Sequence, residues 1–251
     1  MALMEDFKRH GDFLFRYRSF FPIPFLLIGF GVFIFSQLET KGLITPEYYF
    51  VISFATSLIG LLIRIIVVGY APKNTSGRNT KNQRAEVLNT TGMYSIVRHP
   101  LYVGNFLMWL GIALLIKNIW FILIFILVYW LYYERIMYAE EAFLRNKFGK
   151  DYLKWADSVP SFIPNFLNWK SPNEFFSLKN VLRREYTGLF KLILIFFVFH
   201  YAHSVIQAGN NFYYLGDIEK IWLGLFVFGL FFYLTIRLLH KKTKLLDVEG
   251  R

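Results

Sequence analysis

The chain has 251 residues, 55% of them hydrophobic and 20% aromatic, with a mean hydropathy of +0.39 and a formal net charge of +11. A soluble domain carries about 45–50% apolar residues; here the excess falls in blocks of helix-spanning length, which argues against a water-soluble nucleic-acid module as the source of the basic charge. Because there is no cysteine, disulfides, thiolate nucleophiles, Cys-ligated metals and S-acylation are excluded.

Taken in chain order, the N-terminal tail is basic through Lys8, Arg9, Arg16 and Arg18. The first apolar block, 20–37, runs out at Ser36-Gln37-Leu38 without a small-x-small cleavage site, and reads as a retained span. The second block is 48–70. Blocks 101–116 and 119–133 are separated only by Lys117-Asn118, which predicts a tight helical hairpin whose second helix continues past the membrane as 134–148. The last two blocks are 188–206 and 221–239. The expected fold class is therefore all-α: a polytopic membrane helical bundle of about six transmembrane helices. The chain divides into N-terminal spans and a loop (1–87), a core with the hairpin (88–164), and an interfacial segment with two C-terminal spans (165–251).

Basic residues alternate between the connecting segments. The 71–100 loop carries Lys73, Arg78, Lys81, Arg84 and Arg98, the 134–187 segment carries nine Lys or Arg, and the tail carries Lys241, Lys242, Lys244 and Arg251. The other connections hold only Lys41, Lys117 and Lys220. The positive-inside rule places both termini and the two basic segments in the cytoplasm. Asn74-Thr75-Ser76 and Asn89-Thr90-Thr91 match the glycosylation pattern but fall on that cytoplasmic side and carry no weight. Phe175, Leu178, Leu182, Tyr186 and Leu189 recur at helical spacing beside Lys179, Arg183 and Arg184. They read either as a basic amphipathic helix on the inner leaflet or as the entry to the fifth span.

The residues that could carry chemistry fall in two clusters. In LNTTGMYSIVRHPLYVG (88–104), Pro100 suits the first turn of a helix, so Arg98 and His99 sit just before a helix N-terminus at the membrane surface. Free backbone donors, the positive end of the dipole and a guanidinium together favour an anion there; anchoring to headgroups is the plainer alternative. On the helix beyond the fourth span, Glu134, Tyr138, Glu141 and Arg145 share one face. Glu140 points toward the more apolar side near Met137 and Leu144 and needs a partner, for which Arg98 or a cationic ligand would serve. A solvated face with a Glu141–Arg145 pair is the alternative. Arg64, inside the second span, and Lys191 read as snorkelling side chains. His200 and His203 share a face of the fifth span; interhelical hydrogen bonds explain them better than a metal or haem, for which no third ligand is at hand. No Gly-x-Gly-x-x-Gly after a strand, P-loop or His-Glu-x-x-His is present.

The stretches LNTTGMYSIVRHPLYVG, EEAFLRNKFGKDYLKW and PSFIP resemble the isoprenylcysteine carboxyl methyltransferase superfamily, which also contains phospholipid methyltransferases. Gly92, Tyr94, Arg98, His99, Pro100, Tyr102 and Gly104 match the first part of its pattern, and Glu140, Glu141, Leu144, Phe148, Gly149 and Tyr152 the second, with a helical hairpin between them. The resemblance covers about 88–164; the two C-terminal spans lie outside it. The segment SGRNTKNQRAEVLNTTGMYSIVRHPLYVGN is similar to a bacterial branch that methylates the 1-phosphate of lipid A. The resemblance implies S-adenosylmethionine as cofactor, bound without a Rossmann domain at the cytoplasmic ends of the hairpin helices. It further implies catalytic roles for Arg98, His99, Glu140 and Glu141, and cofactor contacts from Tyr94, His99, Pro100, Tyr102, Gly104, Glu140 and Tyr152, with no metal. The implied substrate is a membrane lipid with an anionic headgroup, the implied location a bacterial inner membrane, and nucleic acid is not a partner. A prenylcysteine-type carboxyl or phospholipid amine methyltransferase, an NADPH-dependent membrane reductase and a non-catalytic membrane scaffold are the competing readings.

In the methyltransferase reading, an anionic acceptor needs alignment, loss of water and charge balance rather than a strong base. Arg98 would hold an anion, Glu140 or Glu141 would face the positive charge of the donor, and His99 would donate a hydrogen bond. The basic 134–187 segment would gather anionic lipid.

Overall fold

The computed structural model describes residues 3–20, 22–39, 47–72, 83, 85–213 and 216–248. The basic residues Lys41, Lys73, Arg78, Lys81, Arg84 and Arg251 and the Asn74-Thr75-Ser76 pattern lie outside the described residues. Among the described residues the regular structure is entirely helical: α1 (Leu3–Tyr17), α2 (Pro22–Glu39), α3 (Glu47–Gly69), the short α4 (Met93–Ile96), α5 (Pro100–Leu115), α6 (Ile119–Ser158), α7 (Leu178–Gln207) and α8 (Asp217–Lys242), with one 3-10 turn at Phe166–Asn168.

Five of these helices are long and apolar enough to cross a membrane: α2, α3, α6, α7 and α8. The expected third span, α5, is shorter, at 16 residues, or about 24 Å at 1.5 Å per residue. Its far end nevertheless reaches the level where α3 begins, because Lys117 Nζ lies 4.7 Å from the ring centroid of Tyr49. The chain reverses there at Lys117, with φ of 56°, and Asn118 caps α6 by accepting from the Phe121 N–H at 3.0 Å. The predicted hairpin is thus formed.

The helix α3 runs antiparallel to α5 in the closest crossing of the bundle. No Cβ fits at Gly60, whose place is taken by the Gly104 carbonyl, and a Cβ on Gly104 would meet Arg64 Cγ at 2.7 Å. One crossing point further on, Ser57 Oγ donates to the Met108 carbonyl at 2.8 Å. Without a hydrophobic drive between helices in lipid, such small-residue contacts are what allow close van der Waals packing. Gly104, expected as a cofactor contact, is buried in this crossing against α3.

The apolar part of α6 ends near Tyr133, and the charged remainder continues the helix as predicted. The helix breaks at Gly149, whose φ of 53° and ψ of −122° suit a residue without a side chain. This break turns 150–158 back toward the bundle and buries Tyr152. The basic N-terminal tail, by contrast, is an amphipathic helix. It docks along the α6 extension: Arg135 stacks over the Phe7 ring at 3.3 Å, and Tyr132 donates to the Leu14 carbonyl at 3.0 Å.

The segment 178–189 is continuous with α7, so it is the entry to the fifth span rather than a separate surface helix. Its Leu182 and Tyr186 pack on Phe232, Ile236 and Leu246 at the returning end of α8. Both described ends of the chain therefore lie at the end of the bundle where α5 starts.

Candidate active site

The α5 N-terminus is built as the sequence predicts. His99 is the residue before the first turn and Pro100 occupies that turn, where its missing N–H is no loss. The Arg98 N–H donates to the Pro160 carbonyl at 2.9 Å, so the segment after α6 fixes the backbone that carries Arg98. The hairpin then returns α6 alongside, and its extension places two carboxylates over this corner.

Both carboxylates face the same histidine. Glu141 Oε1 lies 3.0 Å from His99 Nε2, and Glu140 Oε2 lies 3.5 Å from His99 Nδ1. Tyr102 donates to Glu140 Oε1 at 2.7 Å. Arg98 Nε stands 3.3 Å from Glu141 Oε1 as an ion pair without a well-aligned hydrogen bond. Arg98 therefore pairs with Glu141, and Glu140 finds its partners in Tyr102 and His99. For Glu141 these contacts take the place of the alternative reading, a pair with Arg145 along the helix.

Burial alone would lower the His99 pKa, but hydrogen bonds and charge from Glu140 and Glu141 outweigh it and hold the imidazole above its usual value. For Glu141, burial alone would raise the carboxyl; hydrogen bonding and charge from His99, then the charge of Arg98, outweigh it and hold the carboxyl low. Burial first, then the negative charge of Glu141, push the Tyr152 phenol up. Tyr94 rises likewise through burial and then the charge of Glu140.

These groups line one end of a cavity of about 870 Å³. Tyr94, Arg98, His99, Glu140, Glu141, Tyr152, Trp155 and Arg184 form its polar end, and Pro100 and Tyr102 its wall on α5. The other end is apolar and reaches into the bundle between Ile23, Leu26, Met108, Trp109, Ile112 and Leu192. Of the nine residues singled out from the sequence, only Gly104 is absent from this lining.

The sequence reading missed the far wall. Arg64 does not snorkel: its Nε and Nη2 donate to the two Glu185 oxygens at 2.9 and 2.7 Å, and its Nη1 donates to Asn105 Oδ1 at 2.6 Å. This bidentate pair ties α3, α5 and α7 together inside the cavity. An arginine in the second span was the available signal, since a charge there needs a partner. Lys191 also lines the cavity. The other pair of histidines lies at the opposite end of the bundle, where His203 Nδ1 meets Gln37 Oε1 at 2.8 Å, the interhelical bond expected.

The cavity accepts a charged organic cofactor on physical grounds. Small-molecule sites run to roughly 300–1,000 Å³. The Tyr152 hydroxyl and the Arg98 guanidinium both stand beside Glu141 without a well-aligned hydrogen bond, which leaves donor capacity that a ligand at the polar end can engage. The two carboxylates supply negative charge for a cation.

Residues 53–151 match the family model described as phospholipid methyltransferase, a segment that begins inside α3 and so takes in Arg64. The chain is 40% identical over 85 residues to the protein-S-isoprenylcysteine O-methyltransferase of Schizosaccharomyces pombe, covering 34% of this chain and 36% of that protein. It is 34% identical over 139 residues to a probable protein-S-isoprenylcysteine O-methyltransferase of Oryza sativa, covering 52% of this chain and 72% of that protein. It is 42% identical over 83 residues to protein-S-isoprenylcysteine O-methyltransferase B of Arabidopsis thaliana, covering 32% and 41%. The chain thus spans about a third of the length of the yeast protein and most of the rice one. No solved structure matches.

Proposed function

As the chain belongs to the phospholipid and isoprenylcysteine methyltransferase family, whose members use S-adenosylmethionine, we propose that it is a membrane O-methyltransferase acting on a carboxylate at the end of a long apolar chain. One observation carries the reading: a single cavity joins a corner of paired charges to an apolar slot within the bundle. The relatives named above are protein-S-isoprenylcysteine O-methyltransferases, which favours a carboxylate over the lipid A 1-phosphate implied by the resemblance of the 76–105 segment.

Glu140 and Glu141 hold the cationic donor by charge, with Arg98, Tyr94 and Tyr152 contributing donors and a ring wall around its polar groups. When bound, S-adenosylmethionine supplies an electrophilic methyl group on a sulfonium. The carboxylate acceptor is already ionised near pH 7, so the chain provides no strong base. Glu140 and Glu141 favour the protonated form of His99, and that form offsets negative charge at the corner that would repel the acceptor. Arg184 and Lys191 on α7 face the approaching anion, and Ile23, Leu26, Trp109 and Leu192 hold its chain and keep water from the reacting oxygen. We assign the site end to the cytoplasm, because the basic 134–187 segment and both described termini share it.

The test is transfer of a labelled methyl group in detergent or nanodiscs. Farnesylated or other long-chain carboxylates, phosphorylated lipids and phospholipid amines are offered separately, and products are identified by mass. Base-labile methyl ester on the carboxylate is the expected product. Label on a phosphate or amine would redirect the acceptor, and label on nothing, with no binding of S-adenosylmethionine, would sink the enzymatic reading.

A further inference from the structure

The segment that leaves α6 and enters α7, residues 159–177, is a strap whose backbone is fastened to the site and whose large side chains face away from the protein. Four hydrogen bonds fasten it to residues 92–98. The Arg98 N–H donates to the Pro160 carbonyl and the Asn165 N–H to the Ile96 carbonyl, each at 2.9 Å. The Gly92 N–H donates to the Lys170 carbonyl at 2.8 Å, and the Lys170 N–H donates to Ser95 Oγ at 2.9 Å. At its far end the Ser177 N–H donates to the Gly69 carbonyl at 2.9 Å, and Phe176 packs edge-on against Tyr70.

The outward side chains are Ile163, Phe166, Leu167, Trp169 and Phe175, with Leu167 95% and Phe175 91% exposed. Charge is sparse, with one lysine, Lys170, and one glutamate, Glu174, in the whole strap. A contiguous surface of that composition is costly in water and marks an interaction site.

Its height in the bundle identifies the occupant. Phe162 packs between Phe106, on the second turn of α5, and Trp130, in the apolar part of α6, with ring centroids 5.8 and 5.4 Å away. Trp130 is itself outward-facing and belongs to the lipid-facing belt. The strap is therefore continuous with that belt and lies where hydrocarbon gives way to headgroups, the depth that Trp and Phe favour.

We propose that the 159–177 strap is a monotopic element seated in the leaflet on the site side, with Ile163, Phe166, Leu167, Trp169 and Phe175 inserted at the hydrocarbon–headgroup boundary. The bilayer then holds the outer side of a strap whose inner side holds Gly92 to Arg98. The lipid surface thereby becomes part of what positions the α4–α5 corner. The inference concerns where the strap sits and stands whether or not the methyl-transfer reading does.

The chain has no cysteine, so single cysteines give unique labels. Spin labels at Ile163→Cys, Leu167→Cys and Phe175→Cys are compared with Lys150→Cys, an exposed position on α6. The protein is held in nanodiscs of phosphatidylcholine with phosphatidylglycerol, and relaxation by dissolved oxygen is compared with relaxation by a water-soluble nickel chelate. The expected result is several-fold greater oxygen than nickel accessibility at the three strap positions and the reverse at Lys150→Cys. Adding Phe166→Glu and Leu167→Glu, both at exposed positions and so harmless to the core, should move the Ile163→Cys label toward the nickel-accessible pattern. Strap labels as nickel-accessible as the Lys150→Cys control would overturn the proposal. So would labels shielded from both reagents, which would mean a protein partner.

Discussion

The two ends of the bundle each bury a histidine among polar partners, and the two arrangements differ in the space beside them. At the far end, His203 bonds Gln37, Ser204 bonds Glu219, and His200 lies against Phe50 and Trp222. These side chains do not line the cavity of the candidate site, so their polarity is spent joining α2, α7 and α8. At the near end, His99 is held by two carboxylates that, together with Arg98 and Tyr152, line a cavity large enough for a ligand. Polar residues at membrane depth are functional candidates by default. The contrast shows that open space beside the polar groups, rather than polarity itself, separates a site from a helix clamp.

The strongest way to break that contrast is to remove the near-end charges. Glu140→Ala and Glu141→Ala should each lower methyl transfer by about 10²–10³-fold, the range expected when a preorganised electrostatic group is lost. Each variant should still be recovered as a folded membrane protein. Wild-type rates in both would remove the site from the near end. Tyr152→Phe is gentler and should mainly raise the KM for S-adenosylmethionine.

The next effect is structural. Arg64 and Glu185 are mostly buried, at 22% and 6% side-chain exposure. Removing one partner alone strands a charge in the cavity wall and should destabilise the fold by about 3–5 kcal/mol. Arg64→Met with Glu185→Leu should recover much of that loss, which a double-mutant cycle on thermal unfolding in detergent would read. Additive losses would show that the pair does not act as a unit.

That pair also marks what the sequence could and could not convey. Arg98, His99, Glu140 and Glu141 were legible because the hairpin makes their helices neighbours and the family resemblance implies one site for them; spacing alone left their roles open. Arg64 and Glu185 are 121 positions apart, and hydropathy places Arg64 in one span and Glu185 just before another without saying which spans touch. The docked α1 helix and the strap were hidden for the same reason. The 178–189 stripe was ambiguous on physical grounds: one spacing of Leu182 and Tyr186 serves equally for a helix lying on a leaflet and for one packing on α8.

The far end should answer weakly. Gln37→Leu removes one interhelical hydrogen bond and should lower stability by about 0.6–1.7 kcal/mol, with methyl transfer unchanged. A large loss of activity in this variant would mean that the two clusters are coupled.

The subtlest difference between the ends is in their pH dependence. Burial works against the protonated form of His99, but Glu140 and Glu141 raise its pKa above the usual 6.5. A histidine raised in this way stabilises the fold fully below pH 6.5 and loses that contribution as pH rises through its folded value. Burial works against the charged form of Glu141, yet His99 and then Arg98 hold it below the usual 4.5. Its contribution is complete above pH 4.5 and is lost as pH falls through its folded value. Thermal unfolding in detergent should therefore show a stability plateau between pH 4.5 and 6.5, with a descending limb on either side. His99→Gln should flatten the alkaline limb, because the titrating group is gone. Gln37→Leu should lower the whole profile without changing its shape. An alkaline limb that survives in His99→Gln would mean that some other group carries the proton, and that the two carboxylates are balanced by Arg98 alone.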